Sequence, residues 1–438
     1  EAPALAFILA YFIKFVNLDL SNKIGYTFRE NENIIIYMFM AVVVALFIGL
    51  TVSAEEIIRD RKIQKRESFL NLSKGSYLWS KIIIMFSLSA IQAILFVIVG
   101  NLVLEIKGMI LPYWFLLFST FCFANMLGLN ISASFNSAVT IYILIPILII
   151  PQLLFSGVMV KFDKLNPIIT SQSVVPMVGD MMASRWAFEA LAVKQFKDND
   201  FNKKLYKYDK ALSIATYKKD YWLTAMSSKL DFCENKYQVK ENANEVKDAL
   251  LMVKNEIIKE LKSPGNEKIS CNTLDLLTPE KFNPQVANQT KEFLGTLKTI
   301  YLNNYKRATQ LKDTEINKLT KDSVSRAKYL KNKDEYENES LQDLVVNRTT
   351  PYRILDLNGE FIQKIDPIYL DPTNSNIGRA HFYAPRKKLG NKYYDTYYFN
   401  ISVIWLMSIT LAFTLYFDVL KNFITLLENI FSKIGRKK

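Results

Sequence analysis

The sequence predicts an α-helical membrane protein with six transmembrane helices and a large, mainly helical extracytoplasmic insertion between the fifth and the sixth. Charge is segregated along the chain: residues 197–396 hold 35 basic and 28 acidic side chains, whereas the other 238 residues hold only 20 and 14. The charge-poor part contains uncharged runs of 21, 23, 53 and 21 residues, and about 20 apolar residues suffice to cross a bilayer as a helix. These two observations exclude a soluble globular enzyme. One His and three Cys in 438 residues also leave too few ligands for most His/Cys metal sites or for a dense disulfide framework. The chain opens at Glu1 and is apolar at once, without a basic n-region or a small-residue cleavage site. Ala2–Ile13 is therefore read as membrane segment rather than signal peptide, and the chain as a piece of a longer polypeptide.

The first span is expected over Ala2–Leu20, where Lys14 can snorkel to an interface. Ile34–Ala54 and Ile82–Leu104 are the second and third. Gly108–Val160 carries no charge over 53 residues, so at about 1.5 Å per residue it must be two helices folded back on each other. The turn is expected near Ser134–Ser137, where Asn136 sits among small polar residues. Tyr397–Phe417 is the sixth span. Basic residues in short loops mark the cytoplasmic side: residues 55–76 contain Arg59, Arg61, Lys62, Lys65, Arg66 and Lys74, against Lys23 and Arg29 in the preceding loop. That puts both termini in the cytoplasm, the basic tail (Lys433, Arg436, Lys437, Lys438) among them, and residues 197–396 outside.

Gln92, Asn101, Asn125, Asn130, Asn136 and Gln152 lie within the spans. They either line a substrate path or satisfy one another across helices, the common arrangement in membrane bundles. No span has an Asp or Glu away from its ends, which argues against a proton- or sodium-driven carrier.

Residues 55–72 read as an amphipathic helix just past a membrane exit, with Ile57, Ile58, Ile63, Phe69, Leu70 and Leu72 as a partial apolar stripe. Such a helix is an interfacial anchor or a docking element for a cytoplasmic partner. Residues 162–196 are too polar for another span and too apolar for open water. A short re-entrant or interface-lying helical pair is expected there, shielded by protein.

At these residues the chain resembles a known family. Arg66-Glu67 followed by Tyr77 and Ser80-Lys81, the run Gln152-Leu-Leu-Phe-Ser-Gly157, and Ser184-Arg-Trp-Ala-Phe-Glu-Ala190 resemble, in that order, motifs of the membrane (permease) domain of type-2 ATP-binding cassette (ABC-2 type) transporters. The subfamily is the G-subfamily or White-type exporters, in the large bacterial form whose nucleotide-binding domain precedes the membrane domain. The resemblance covers residues 1–196 and about 397–420. It implies that 55–72 is the coupling helix against the ATPase domain, with Glu55, Arg59, Arg66 and Glu67 as polar contacts. It also implies that spans two and five line the substrate cavity, making Phe39, Val43, Phe47, Ile145 and Ile149 cavity residues and placing Leu153 and Leu154 at the gate. The implied partners are a second copy of the chain, membrane lipid and an ATPase domain, N-terminal in the same polypeptide, which would hold ATP and Mg. This chain has no Gly-x-x-x-x-Gly-Lys-Ser/Thr loop, so no cofactor, metal or catalytic site is assigned within it, and no nucleic-acid partner is expected. The insertion is much larger than in familiar eukaryotic members, so substrate class does not carry over.

Within 197–396, residues 200–345 read as helical and 350–395 as a small β element with a hairpin at Asn358-Gly359. Asn242–Leu261 has Val246, Leu250, Val253 and Ile257 on one face and ends at Ser263-Pro264-Gly265. Asn283-Pro284 offers a cap and a first-turn proline, opening a helical stretch to about Leu330 that either projects as one helix or folds back as a hairpin. Cys233 and Cys271 are either bridged, worth roughly 4 kcal/mol in an oxidising compartment, or two buried thiols. The basic excess of the segment suits an anionic glycan or lipid headgroup, or is plain solvated surface.

The leading expectation is the permease domain of an ATP-driven exporter in a bacterial inner membrane, moving a hydrophobic or amphipathic substrate. A membrane-anchored structural or sensory protein whose outer domain binds an envelope component is the alternative. An enzyme ranks third, since no nucleophile–base pair or paired carboxylates stand out.

Overall fold

The computed structural model describes residues 1–15, 25–66, 73–263, 269–357, 359–373 and 377–435. Its helices are, in chain order, α1 (Ala2–Ile13), α2 (Ile34–Ala54), α3 (Glu56–Arg66), α4 (Lys74–Val103), α5 (Ile110–Ser134), α6 (Ala138–Leu154), α7 (Met177–Asp180) and α8 (Ala183–Lys197). The hydrophilic segment adds α9 (Asn202–Thr216), α10 (Leu223–Lys236), α11 (Ala243–Leu261), α12 (Pro284–Leu319), α13 (Ser323–Tyr336) and α14 (Glu339–Val346). The chain then returns through α15 (Thr396–Tyr416) and ends in α16 (Val419–Gly435). Two antiparallel hairpins complete the fold: β1 (Ile354–Leu357) with β2 (Glu360–Gln363), and β3 (Arg386–Leu389) with β4 (Lys392–Asp395).

These elements form two compact units. The first comprises Glu1–Asn202, Lys331–Gln342 and Asp371–Lys438, the second Lys203–Leu330 and Asp343–Leu370. The hydrophilic segment 197–396 is thus divided between them. Residues 331–342 belong to the first unit because its loops grip them. Arg29 pairs with Glu339 at 2.7 Å and Asp334 at 3.4 Å, Lys107 pairs with Glu335 at 2.7 Å, and Asn338 donates to the carbonyls of Phe28 and Asn31.

By length and composition, four helical stretches of the first unit can cross a membrane: Ile34–Ile63, Lys74–Val103, Ile110–Ser134 and Thr396–Tyr416. The helices of the other two expected spans, α1 and α6, are apolar but shorter. For α1, the expected span continues into residues outside those described. For α6, the helix contains Pro146 and Pro151, stops at Leu154, and gives way to a turn at Gly157. Gly157 has φ +80°, and a Cβ there would lie 2.4 Å from the Phe162 ring, so only glycine fits. The 53-residue uncharged run breaks between Ser134 and Ala138, where the turn was expected.

α5 is the central helix, buried along most of its length and packed against α2, α4, α8 and α15. Its approach to α2 is close because small residues face each other there. A Cβ on Gly128 would stand 2.0 Å from Ser53 Oγ and 2.9 Å from the Leu50 carbonyl, so the two backbones meet as small-residue helix pairs do in lipid. α1 packs on α4 and buries Ala2, Ala6 and Ala10, one residue per turn. Several polar residues inside the helices join neighbours, whereas both side-chain polar atoms of buried Asn101 are unpaired among the described residues. Asn125 donates to Ser89 Oγ (2.7 Å), Asn130 donates to the Leu411 carbonyl (2.8 Å) and accepts from Thr414, and Trp405 donates to Ser119 Oγ.

Over 162–196 the structure has a single 3-10 turn (Phe162–Lys164), the one-turn α7 and the long α8. α8 is buried from Ala183 to Val193 against α15, α5 and α2. Its core position reflects its composition: the helix is too apolar for an exposed surface and carries an Arg and a Glu that find partners only inside the bundle.

The second unit closes around Trp222, Met226, Leu230, Leu250, Val253, Ile257, Leu294, Leu297 and Phe361. The Val246/Leu250/Val253/Ile257 face of α11 is buried as its spacing predicts. Asn283 caps α12 by accepting from the Val286 amide at 2.9 Å. The helical stretch to Leu330 is not one continuous helix: α12 ends at Leu319, and Asp322 starts α13 by accepting from the Ser325 amide at 2.8 Å. An Asp followed by Ser-Val-Ser competes for backbone N–H groups and so favours a new cap over continuation. The first hairpin forms as read, with Gly359 at φ +77°; Asn358 lies outside the described residues.

Candidate functional site

Two polar arrangements stand out in the first unit. The first surrounds α3. Ser132, near the end of α5, accepts from the amides of Ile57 and Ile58, both at 3.0 Å, so a side chain from another helix satisfies the orphan donors of the α3 N-terminus. Arg61 reaches back to the carbonyls of Ser132 (3.1 Å) and Ala133 (2.8 Å) and to Asn136, placing a cation at the C-terminal end of α5. From α4, Lys81 pairs with Glu56 at 2.8 Å and Asp60 at 2.7 Å, and the Tyr77 hydroxyl donates to Asp60. α3 is thereby fastened to two membrane helices at once. Its outer face presents Arg59, Lys62, Ile63 and Arg66, all exposed and spaced three or four residues apart.

Of the expected coupling residues, Glu55 accepts from the Tyr142 hydroxyl of α6. Arg59 is exposed with a 2.7 Å pairing to Glu56, and Arg66 is exposed at the helix end. Glu67, with the rest of 67–72, lies outside the described residues. Glu56, Asp60, Arg61 and Ser132 escape a sequence reading of this site. Glu56 and Asp60 do carry a signal, being four apart and so on one helix face with Lys81 in the next helix, but Ser132 has none.

The second arrangement is a buried charge centre. α8 places Arg185 and Glu189 one turn apart, both without solvent exposure. Glu189 accepts from Lys387 Nζ of β3 at 2.7 Å, from the Tyr383 amide at 3.1 Å and from Asn400 of α15 at 2.9 Å. Arg185 lies 3.5 Å from Glu189 and 3.7 Å from Asp180, its guanidinium stacked over Trp186 at 3.8 Å. Arg379 in turn donates to Asp180 at 2.9 Å. Burial pushes the Lys387 ammonium down to about 8 against the pull of Glu189. Burial also opposes the charge on Glu189, but Arg185 and Lys387 outweigh it and hold the carboxyl below its ordinary range. The centre clasps the returning chain and α15 onto α8.

The expected cavity and gate residues are spread over several environments. Phe39 is buried edge-on against Phe188 of α8 (5.9 Å), and Ile145 is buried. Val43, Ile149 and Leu153 are half-buried, while Phe47 and Leu154 are exposed. Ile149 shares a small apolar crevice between α2, α5 and α6 with Leu46, Leu50, Phe123 and Gln152. Gln152 also ties α6 to α8, accepting from the Ser184 amide at 3.1 Å.

In the second unit Cys233 and Cys271 are free thiols, both buried in the core. The bridge weighed from the sequence is not formed. Cys271 instead sits 3.3 Å from the Thr273 hydroxyl, Cys233 contacts the Val246 carbonyl, and burial raises the Cys233 thiol to about 11. Among the described residues no group of three or more His, Cys, Asp or Glu side chains is placed to hold a metal.

Four helical stretches long and apolar enough to cross a membrane point to an integral membrane protein. Residues 4–196 match the family model of the ABC-2 type transporter, so this stretch is similar to an ABC-2 type membrane domain. No curated protein matches the chain.

Proposed function

We propose that this chain is the permease half of an ATP-driven exporter of the G-subfamily (White-type), in its large bacterial form, moving a hydrophobic or amphipathic substrate across the inner membrane. Six spans are completed by α1 and α6, both termini are cytoplasmic, and most of 197–396 is extracytoplasmic. The ATPase domain, with its ATP and Mg, precedes this chain in the same polypeptide. Two copies assemble with α2 and α6 facing each other, covering the exposed Phe47, Ile143, Ile147, Ile150 and Leu154 and enclosing the cavity.

The observation that carries this reading is the fastening of α3. Its outer face is free to receive a partner, while its inner face is bonded to α5 through Ser132 and Arg61 and to α4 through Lys81. A push on Arg59, Lys62, Ile63 and Arg66 by closing ATPase domains is therefore passed to the membrane helices as a rigid displacement. Nucleotide can select one conformation only through such differential contacts. The test is ATPase activity of the full-length protein in lipid, wild type against Arg59→Glu and Lys81→Met. Arg59→Glu reverses charge on the docking face and is expected to lower turnover at least several-fold. Lys81→Met leaves that face intact but is expected to weaken the dependence of turnover on lipid. A full-length preparation with no ATPase activity, alone or with any companion ABC ATPase, sinks the exporter reading.

A further inference from the structure

α16 is not used by the proposed transport cycle, yet it is the most strongly amphipathic helix of the first unit. Two residues, Phe417 and Asp418, separate it from the end of α15, and the φ of +51° at Asp418 interrupts the helix. That corner is held in place: Lys74, at the start of α4, pairs with Asp418 and lies over the Tyr416 ring, and the Asn422 amide donates to the Asp418 carbonyl at 2.9 Å.

At roughly 100° per residue, the residues of α16 fall into three arcs. Leu420, Ile424 and Leu427 form one and are half-buried; α16 packs on α5 and α15. Beside it, Val419, Phe423, Leu426 and Ile430 form a second apolar stripe that is 49, 56, 55 and 45% exposed. Lys421, Asn422, Thr425 and Asn429 occupy the opposite side. Toward its end the sequence adds Lys433, Arg436, Lys437 and Lys438, so from Val419 on there are five basic residues against one acidic residue.

We propose that α16 lies in the plane of the membrane surface and binds anionic phospholipid, with the Val419/Phe423/Leu426/Ile430 stripe sunk between acyl chains and the basic residues at the headgroups. Three observations select this occupant. The helix leaves the bilayer directly from a spanning helix, so its exposed stripe is at interface depth. The stripe adjoins the face already packed on the bundle, giving one apolar arc broken only by where protein ends and lipid begins. With Lys421 and the basic residues that follow in sequence, this end of the chain carries five basic residues against one acidic, a positive charge that an anionic leaflet attracts, about 1 kcal/mol per basic residue near the surface. The inference rests on the cytoplasmic placement of the C-terminus proposed above.

The test uses the full-length protein in vesicles of phosphatidylcholine alone and of phosphatidylcholine with one-third phosphatidylglycerol. The three cysteines of this chain are buried; in a background where any cysteines elsewhere in the full-length protein are replaced by serine, nitroxide labels go to Phe423→Cys, Leu426→Cys, Lys421→Cys and Thr425→Cys, with Leu406→Cys on α15 as the reference for lipid exposure. Collision with oxygen is compared with collision with a water-soluble nickel chelate. Labels at 423 and 426 are expected to favour oxygen at least several-fold over labels at 421 and 425, with a larger contrast in anionic vesicles that shrinks at high salt. Nickel access at all four positions, or apolar-face labels shielded from both reagents by a second copy or an ATPase domain, overturns the proposal. An equal contrast in neutral and anionic vesicles overturns the anionic-lipid part. Nickel access at 406 instead brings down the membrane reading itself, and so separates the two failures.

Discussion

Lys387 Nζ donates to Glu189 Oε1 at 2.7 Å with both side chains wholly buried, although the two residues are 198 apart in the chain. The contact joins the end of the hydrophilic segment to α8, and Asn400 brings α15 to the same carboxylate. Removing one member of a buried ion pair leaves the other uncompensated and costs about 3–5 kcal/mol. Glu189→Leu strands both Arg185 and Lys387 and is expected to fall at the upper end of that range. Lys387→Met leaves Glu189 with Arg185 and Asn400 and is expected to cost less, and the double variant less than the sum of the two. Thermal unfolding in detergent, followed by exposure of the buried thiols to a reactive dye, ranks the four proteins.

The same lysine sets a pH dependence. Its folded value of about 8 lies below the ordinary 10.5, so between those limits the unfolded chain binds more protons than the folded one. Stability contributed by Lys387 therefore rises as pH increases from about 8 toward 10.5. Wild type is expected to gain on Lys387→Met across that window. A constant difference between the two melting curves from pH 7 to 10.5 contradicts it.

Ser132→Ala removes the acceptor for two amides of α3 without touching its outer face. Leaving such donors unpaired costs about 1–3 kcal/mol, confined to the link between α3 and α5. Faster proteolysis between residues 55 and 66 with an unchanged far-UV spectrum is the expected outcome; Ser132→Thr, which keeps the acceptor, is expected to restore protection.

Gly128→Ala forces a methyl group into the space held by Ser53 Oγ and the Leu50 carbonyl. Overpacking of this kind typically costs 1–3 kcal/mol. Gly128→Ala combined with Ser53→Ala is expected to recover part of the loss, because the nearest obstructing atom is gone. Melting temperatures of the two variants decide it.

Cys233 and Cys271 are expected to resist alkylation in the folded protein and to react fully after denaturation, with no mass change on prior reduction. Burial and a thiol raised to about 11 keep Cys233 from forming the thiolate that reacts. A denatured, unreduced sample that takes up only one label per protein would instead reveal a bridge.

Much of this architecture is legible in the chain because lipid imposes a one-dimensional rule. A crossing helix must be long, apolar and free of charge, so α2, α4, α5 and α15 appear as uncharged runs, and the break after Ser134 shows where small polar residues interrupt one. The apolar face of α11 and the Asn283 cap were likewise local facts of spacing and hydrogen-bonding chemistry. The stop at Leu319 was also local, but helix propensity concealed it: Asp322 competes as a cap in a stretch otherwise rich in helix formers.

What the sequence by itself determined is therefore the set of membrane helices, their amphipathic companions and the motifs that resemble a permease domain, since each depends on neighbours within a few turns. Tertiary structure alone decided that Ser132 would hold the start of α3, that Lys81 would bridge Glu56 and Asp60, that two cysteines of one core would stay apart, and that Glu189 would meet Lys387. These pairings join residues far apart in sequence, and their energy comes from burial that no single segment can supply. A buried charge has no periodicity to betray its partner; only packing chooses it.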